Sequence, residues 1–323
     1  MSQDNRYKTF FRNWKLAISM SLGVICYFIF HYLPLSCEIR SFTFTAVSRW
    51  IQPMFLFFMI FLSFLRVRPG ELKPHKWHLR VLGEQALLFI GASCLAMMVK
   101  SEGMKVLCEG AMLAFICPTA TASAVVVGKL RGSISGVVTY ILLVNLMVSV
   151  LAPGLLTLVE PHPDRDFGTS FFMIMGKVFP LLICPLLTAW VVRYLMPSLH
   201  SWFMKFPDLA FNIWFVSLAL AIAVTVRSIM HSSVSGWYLV GLAFISLVCC
   251  IIQFWRGRSI GKKYGQEAAI TAGQSFGQKN TVFIIWLGLV FLNPVTSVVG
   301  GFYSLCNNTV NIYHLYKARK IIN

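Results

Sequence analysis

The stretch Gly273-Gln-Ser-Phe-Gly-Gln-Lys-Asn-Thr281 decides how this chain is read. It interrupts an apolar segment running from 268 to 291, and puts two glycines, two glutamines, Ser275, Lys279 and Asn280 where a membrane span would carry hydrocarbon. A charge at that depth costs about 3 kcal/mol on insertion scales, so such residues face a protein interior or a water-filled cavity. Lys279 is therefore expected in a site. A second interruption, Cys117-Pro-Thr-Ala-Thr-Ala-Ser123, falls near the middle of another apolar segment in the first half of the chain. Paired breaks in two halves point to the binding site of a transporter.

Composition agrees with a chain that lives in lipid. Of 323 residues, 57% are hydrophobic and only 12% charged, and the mean hydropathy is +0.72. Apolar windows of roughly 20 residues, separated by Lys, Arg, Pro and Gly clusters, account for ten expected spans and leave no room for a soluble domain. The net charge of +17 sits in short clusters between those windows. That is the pattern of cytoplasmic loops, so nucleic acid is not expected as a partner. Nine cysteines are scattered without metal-ligand spacing or a disulfide framework, so neither a metal nor another cofactor is expected. Arg6, Lys8, Arg12 and Lys15 precede the first apolar run with no small-residue cleavage site after it, which reads as a retained first span.

The windows fall at 14–33, 47–65, 79–99, 106–130 and 134–159, then at 171–196, 210–230, 237–254, 268–291 and 294–316. A Pro- and acid-rich linker at 160–166 divides them, and an aromatic segment around Trp202 and Phe206 is expected along the interface. The loops after spans two, four, six and eight carry most of the basic residues, as do the two ends. Both termini are thus expected in the cytoplasm of a multi-pass protein of a cell membrane, of the bacterial inner-membrane type. Five spans per half is an odd number. The second half, 168–317, is then inverted relative to the first, 13–160, and the discontinuous spans four and nine cross near the midplane.

Breaking a membrane helix frees backbone groups that protein, water or ligand must satisfy. Pro118 lacks an N–H and disfavours helix at Cys117, and Thr119, Thr121 and Ser123 can cap the half-helix that follows. Gly277 permits unwinding in span nine, after which Asn280 or Thr281 can start the second half. Each new N-terminus is an anion site, and Lys279 adds a full charge beside one. The substrate class expected is a small organic anion of the carboxylate type. Plainer roles exist for these residues, since Ser and Thr bond back to their own helix and small-residue runs serve packing. Snorkelling of Lys279 would have to bridge about 18 Å of helix to the cytoplasmic edge.

The residues resemble the bile acid:sodium symporter family along nearly the whole chain. The likeness rests on Leu-Arg-Val-Arg-Pro-Gly-Glu-Leu at 65–72, Cys-Pro-x-x-Thr-Ala-Ser at 117–123 with its Lys-Leu-Arg-Gly exit, and Gly-x-x-Asn-Thr at 277–281. The resemblance implies ten spans in inverted five-helix repeats, panel and core subdomains, crossed helices four and nine, and sodium-coupled uptake of organic anions. It places Thr121, Ser123 and Asn280 where substrate and ion meet. The sodium ligands do not carry over. Ala124 stands at an Asn position, Val137 and Ile141 at the hydroxyl positions of span five, and Ser275 and Lys279 at the Glu and Gln positions of span nine. A hard cation needs several oxygens, so Lys279 is expected to replace sodium, with a proton as the coupling ion if burial lowers its affinity for one.

Glu84, near a span-three glutamine of the relatives, reads either as a solvated interfacial acid or as a buried partner of Lys279. Ser275 and Lys279, four residues apart, have the spacing of a Ser-Lys dyad, but no orienting group or oxyanion motif accompanies them, so no enzyme is expected. A sodium-coupled anion symporter and a membrane sensor that binds substrate without moving it remain as rivals.

Overall fold

In a computed structural model, residues 3–161, 163–231 and 235–322 are described, with side chains from 17 to 318. The side chains of Arg6, Lys8, Arg12, Lys15, Arg319 and Lys320, and linker residue His162, lie outside the described residues. Every described element is helical, and the one strand-like feature is an isolated antiparallel pairing of Thr119 with Lys279.

α1 covers Gln3–Tyr32, and α2 (Cys37–Ala46) continues through a π turn at Val47–Ile51 into α3 (Gln52–Phe64). Ser36 caps α2 by accepting from the Ile39 N–H at 3.3 Å. The second rod thus begins ten residues before the expected 47, at Cys37, because Glu38, Arg40, Ser41 and Thr43 hid a helix that hydropathy alone misses. α4 is Lys76–Met98. α5 (Glu102–Ile116) and α6 (Ser123–Lys129) are the two pieces of span four, and α7 is Ile134–Val159. α8 (Phe167–Leu195) is capped by Asp166, and the short α9 (Pro197–Met204) lies between it and α10 (Leu209–Met230). α11 (Gly236–Lys262) runs past the expected end at 254, because Arg256 and Arg258 continue the helix rather than closing it. α12 (Gln266–Gly277) and α13 (Thr281–Phe291) are the pieces of span nine, and a 3-10 turn at Pro294–Ser297 leads into α14 (Val298–Ile322).

Six of these rods are long and apolar enough to cross a membrane. Their outer faces leave large apolar side chains uncovered, among them Leu87, Phe172, Leu195 and Trp237. A surface of that kind is stable only against lipid, which marks a multi-pass membrane protein. The inside is different in kind. α13 is sheathed on every face, with Val282, Phe283, Ile284, Ile285 and Leu287 fully buried, and the last turns of α12 are sheathed with it.

What lets α12 sit so deep is its contact with α11. Gly257 and Gly261, one turn apart on α11, lie against the backbone of Ala272 and Ala268, so that a methyl at Gly257 would come 2.6 Å from the Ala272 carbonyl oxygen. Small residues four apart on both helices allow backbones to approach and gain dispersion contact where lipid offers no hydrophobic drive. Gly277 has a packing role too. Its φ is not in the left-handed region, and a Cβ there would enter the Phe254 ring. The expectation that Gly277 serves the unwinding by conformational freedom is corrected accordingly.

Gly257→Ala is expected to lower the unfolding temperature by forcing the two backbones apart, a cost of about 1–3 kcal/mol for overpacking. Gly91→Ala, where nothing lies within 4 Å of the added carbon, should leave it level or raise it. Thermal unfolding of the purified variants reads the contrast.

Candidate functional site

The two breaks find each other. Cys117 is extended (φ −52°, ψ 132°), as a residue before proline must be, and Gln278 and Asn280 are extended as well. These short extended pieces run antiparallel. The Ala120 N–H donates to the Gln278 carbonyl and the Asn280 N–H to the Pro118 carbonyl, both at 2.9 Å, around the Thr119–Lys279 pair. Each break therefore supplies the partners that the other lost. The Thr119 hydroxyl donates to the Ser275 carbonyl, and the Cys117 thiol to that of Asn280 at 3.0 Å. Asn280 also starts α13, its side-chain oxygen accepting from the Phe283 N–H at 3.4 Å.

A Gln–Tyr pair braces each side of this seam. Gln85, on α4, donates to the Ile116 and Cys117 carbonyls at 3.3 and 3.0 Å, and its oxygen accepts from the Tyr140 hydroxyl at 2.9 Å. On the other side the Tyr303 hydroxyl donates to the Gly277 carbonyl at 2.8 Å and accepts from Gln253 at 3.1 Å. Gln253 reaches the Ala114 carbonyl as well, at 3.2 Å, tying α11 to α5. All four side chains are buried. These residues were not singled out from the sequence. The signal was a glutamine in each of spans three and eight and a tyrosine inside each of spans five and ten.

Lys279 is buried, only 2% exposed, and its Nζ has no hydrogen-bond partner among the described residues. The Phe276 ring lies beside it, its centroid 5.0 Å away. The Ser123 and Ser275 hydroxyls and the Gln278 amide oxygen are buried and unpartnered too. Buried polar groups left alone are costly, and a protonated amine among them attracts an anion. Thr281 is buried as the first residue of α13, and Thr121 is half-buried in the turn before α6. Val137 and Ile141 are buried aliphatics that offer no oxygen.

Of the two readings of Glu84, the buried partner of Lys279 is not the one found. Glu84 forms a two-pronged ion pair with Arg256, Nε to Oε1 at 2.6 Å and Nη2 to Oε2 at 2.9 Å, linking α4 to α11 with both side chains partly exposed. The unforeseen extension of α11 is what brings Arg256 within reach. Nor do Thr119, Thr121 and Ser123 cap α6, whose N-cap is Ala122 with no side-chain bond, because the Thr119 hydroxyl is already spent on α12. A further residue went unnoticed. Glu109 on α5 is 1% exposed and accepts from the Thr296 hydroxyl at 2.8 Å, next to a Lys105–Glu160 ion pair at 2.5 Å.

Tyr303→Phe removes the donor that satisfies Gly277, and is expected to cost about 1–3 kcal/mol, the price of an unsatisfied buried group. Tyr316→Phe, at an exposed ring, should cost nothing measurable. Unfolding of the two variants in detergent, followed by circular dichroism, separates them.

No family model matches the chain, and no curated protein matches it.

Proposed function

We propose that this protein is a secondary active transporter of a small organic anion, of the carboxylate type, working by alternating access with Lys279 doing the work of a sodium ion. The observation that carries the reading is the unpaired, buried ammonium of Lys279 at the meeting point of two interrupted helices. The N-terminus of α13 begins within two residues of that seam, and the partial positive charge at a helix start favours an anion. The substrate would bring the missing partner, with Ser123, Ser275, Thr121, Asn280 and Thr281 supplying hydrogen bonds around it.

The ten-span, twofold-inverted architecture belongs to the same proposal. Exchanging the halves maps observed helix contacts onto other observed contacts. The α4–α5 packing corresponds to α11–α12, α4–α7 to α11–α14, α1–α10 to α8–α3, and α12–α7 to α5–α14. Packing is dense within a group α1, α3, α8 and α10 and within a group around α4, α5, α7, α11, α12 and α14, with α7 against α8 joining the two. That division supports a panel and a core. The sequence resemblance to bile acid:sodium symporters points the same way, as does placement in a cell membrane with both termini in the cytoplasm.

Sodium-independent uptake is the expected behaviour. With the purified protein in proteoliposomes and a substrate found by a thermal-shift screen of small carboxylates, uptake should persist when choline replaces sodium. Lys279→Gln should lower it roughly 30-fold or more, as truncation of a buried charge partner does. An absolute sodium requirement in the wild type would favour ordinary sodium symport and defeat the lysine reading. Binding without counterflow of labelled substrate would make the protein a sensor instead.

A further inference from the structure

A basic hollow lies apart from the Thr119–Lys279 seam. Where α11, α12 and α14 meet the turn between α6 and α7, there is a cavity of about 220 Å³. Four cationic side chains line it, Lys129, Arg131, Arg258 and Lys317, and no carboxylate does. None of the four forms an ion pair with a described residue. Like charges gathered around one hollow raise the local potential and attract an anion among them.

The hollow is built rather than incidental. The Gly132 N–H donates to the Val127 carbonyl at 2.9 Å and the Ser133 N–H to the Thr271 hydroxyl at 2.9 Å, which fixes the α6–α7 turn against α12. Arg131 is thereby held at φ +62°, a left-handed backbone that a side-chain-bearing residue adopts at a cost and that clusters at ligand clamps. At the inner end Gln274 is 2% exposed, bonded through Nε2 to His314 Nδ1 at 3.1 Å, while its Oε1 has no partner. Two guanidinium forks suit the tetrahedral oxygens of phosphate.

We infer that this cavity binds a phosphate-bearing anion, either a soluble phosphate ester or the headgroup of an anionic lipid. No residue of the Thr119–Lys279 seam lines it, so the inference stands apart from the transport reading.

The test uses the full chain in neutral detergent, with unfolding temperature read against inorganic phosphate, glycerol 3-phosphate, dioctanoyl phosphatidylglycerol and dioctanoyl phosphatidylcholine. Stabilisation by phosphate or glycerol 3-phosphate identifies a soluble source, and stabilisation by phosphatidylglycerol alone identifies a lipid. In R131N/R258Q, where Asn suits the left-handed backbone, half-saturation should weaken roughly tenfold or more. Lys177→Gln, on the distant α8, should leave it unchanged. Should the double variant fail to fold, Lys317→Gln at the exposed rim provides the weaker version of the same loss. No shift with any phosphate probe, an equal shift with phosphatidylcholine, or equal shifts in the cavity variants and the wild type would overturn the inference.

Discussion

Backbone polar groups cannot be left open in the middle of a membrane, and the rest of this molecule follows from how two open ends were closed. A helix that stops at Ile116 and another that stops at Gly277 each strand carbonyls and N–H groups where no lipid can bond them. They are closed against each other, through Ala120 to Gln278 and Asn280 to Pro118, and against the Gln–Tyr pairs on either side. Each unsatisfied group would cost several kcal/mol, so the crossing fixes where α4, α7, α11 and α14 must stand. The close glycine contact of α11 on α12 follows from the same need, since Gln253 must come near enough to brace the seam.

Within that frame Lys279 is the exception that gives the site its character. Its flanking residues Gln278 and Asn280 belong to a satisfied backbone crossing, while its side chain ends without a partner among the described residues. Glu84, the acid that could have answered it, is engaged with Arg256 and partly open to solvent. The Lys279 amine is thus left without a carboxylate among the described residues. An ammonium neutralised by a resident carboxylate would have little to offer an incoming anion.

Much of this was legible from the chain, and the reasons for the rest are physical. A proline after Cys117, and polar residues inside an apolar run at 273–281, announce breaks because hydrocarbon tolerates neither without compensation. The burial of Lys279 followed from its distance to either end of its span. Pairings across the fold left no such trace. Gln85 and Tyr140 are 55 positions apart, Gln253 and Tyr303 are 50, and Glu84 and Arg256 are 172. Nothing local says that they meet. The ends of helices were misjudged where charge was taken for a boundary, as at Arg256, or polarity for a loop, as in Cys37–Ala46. Gly277 was read as permitting the helix to unwind because conformational freedom can be guessed from one residue, whereas the neighbour it makes room for, Phe254, cannot.

The Thr119–Lys279 pairing joins a helix from each half of the chain by bonds running in both directions. Any motion that parted α5 and α6 from α12 and α13 would expose four polar groups at once, with no solvent to receive them. The crossing is therefore a weld and not a joint. In the transport reading proposed above, α5, α6, α12 and α13 would travel as one solid piece and the displacement would fall elsewhere in the fold.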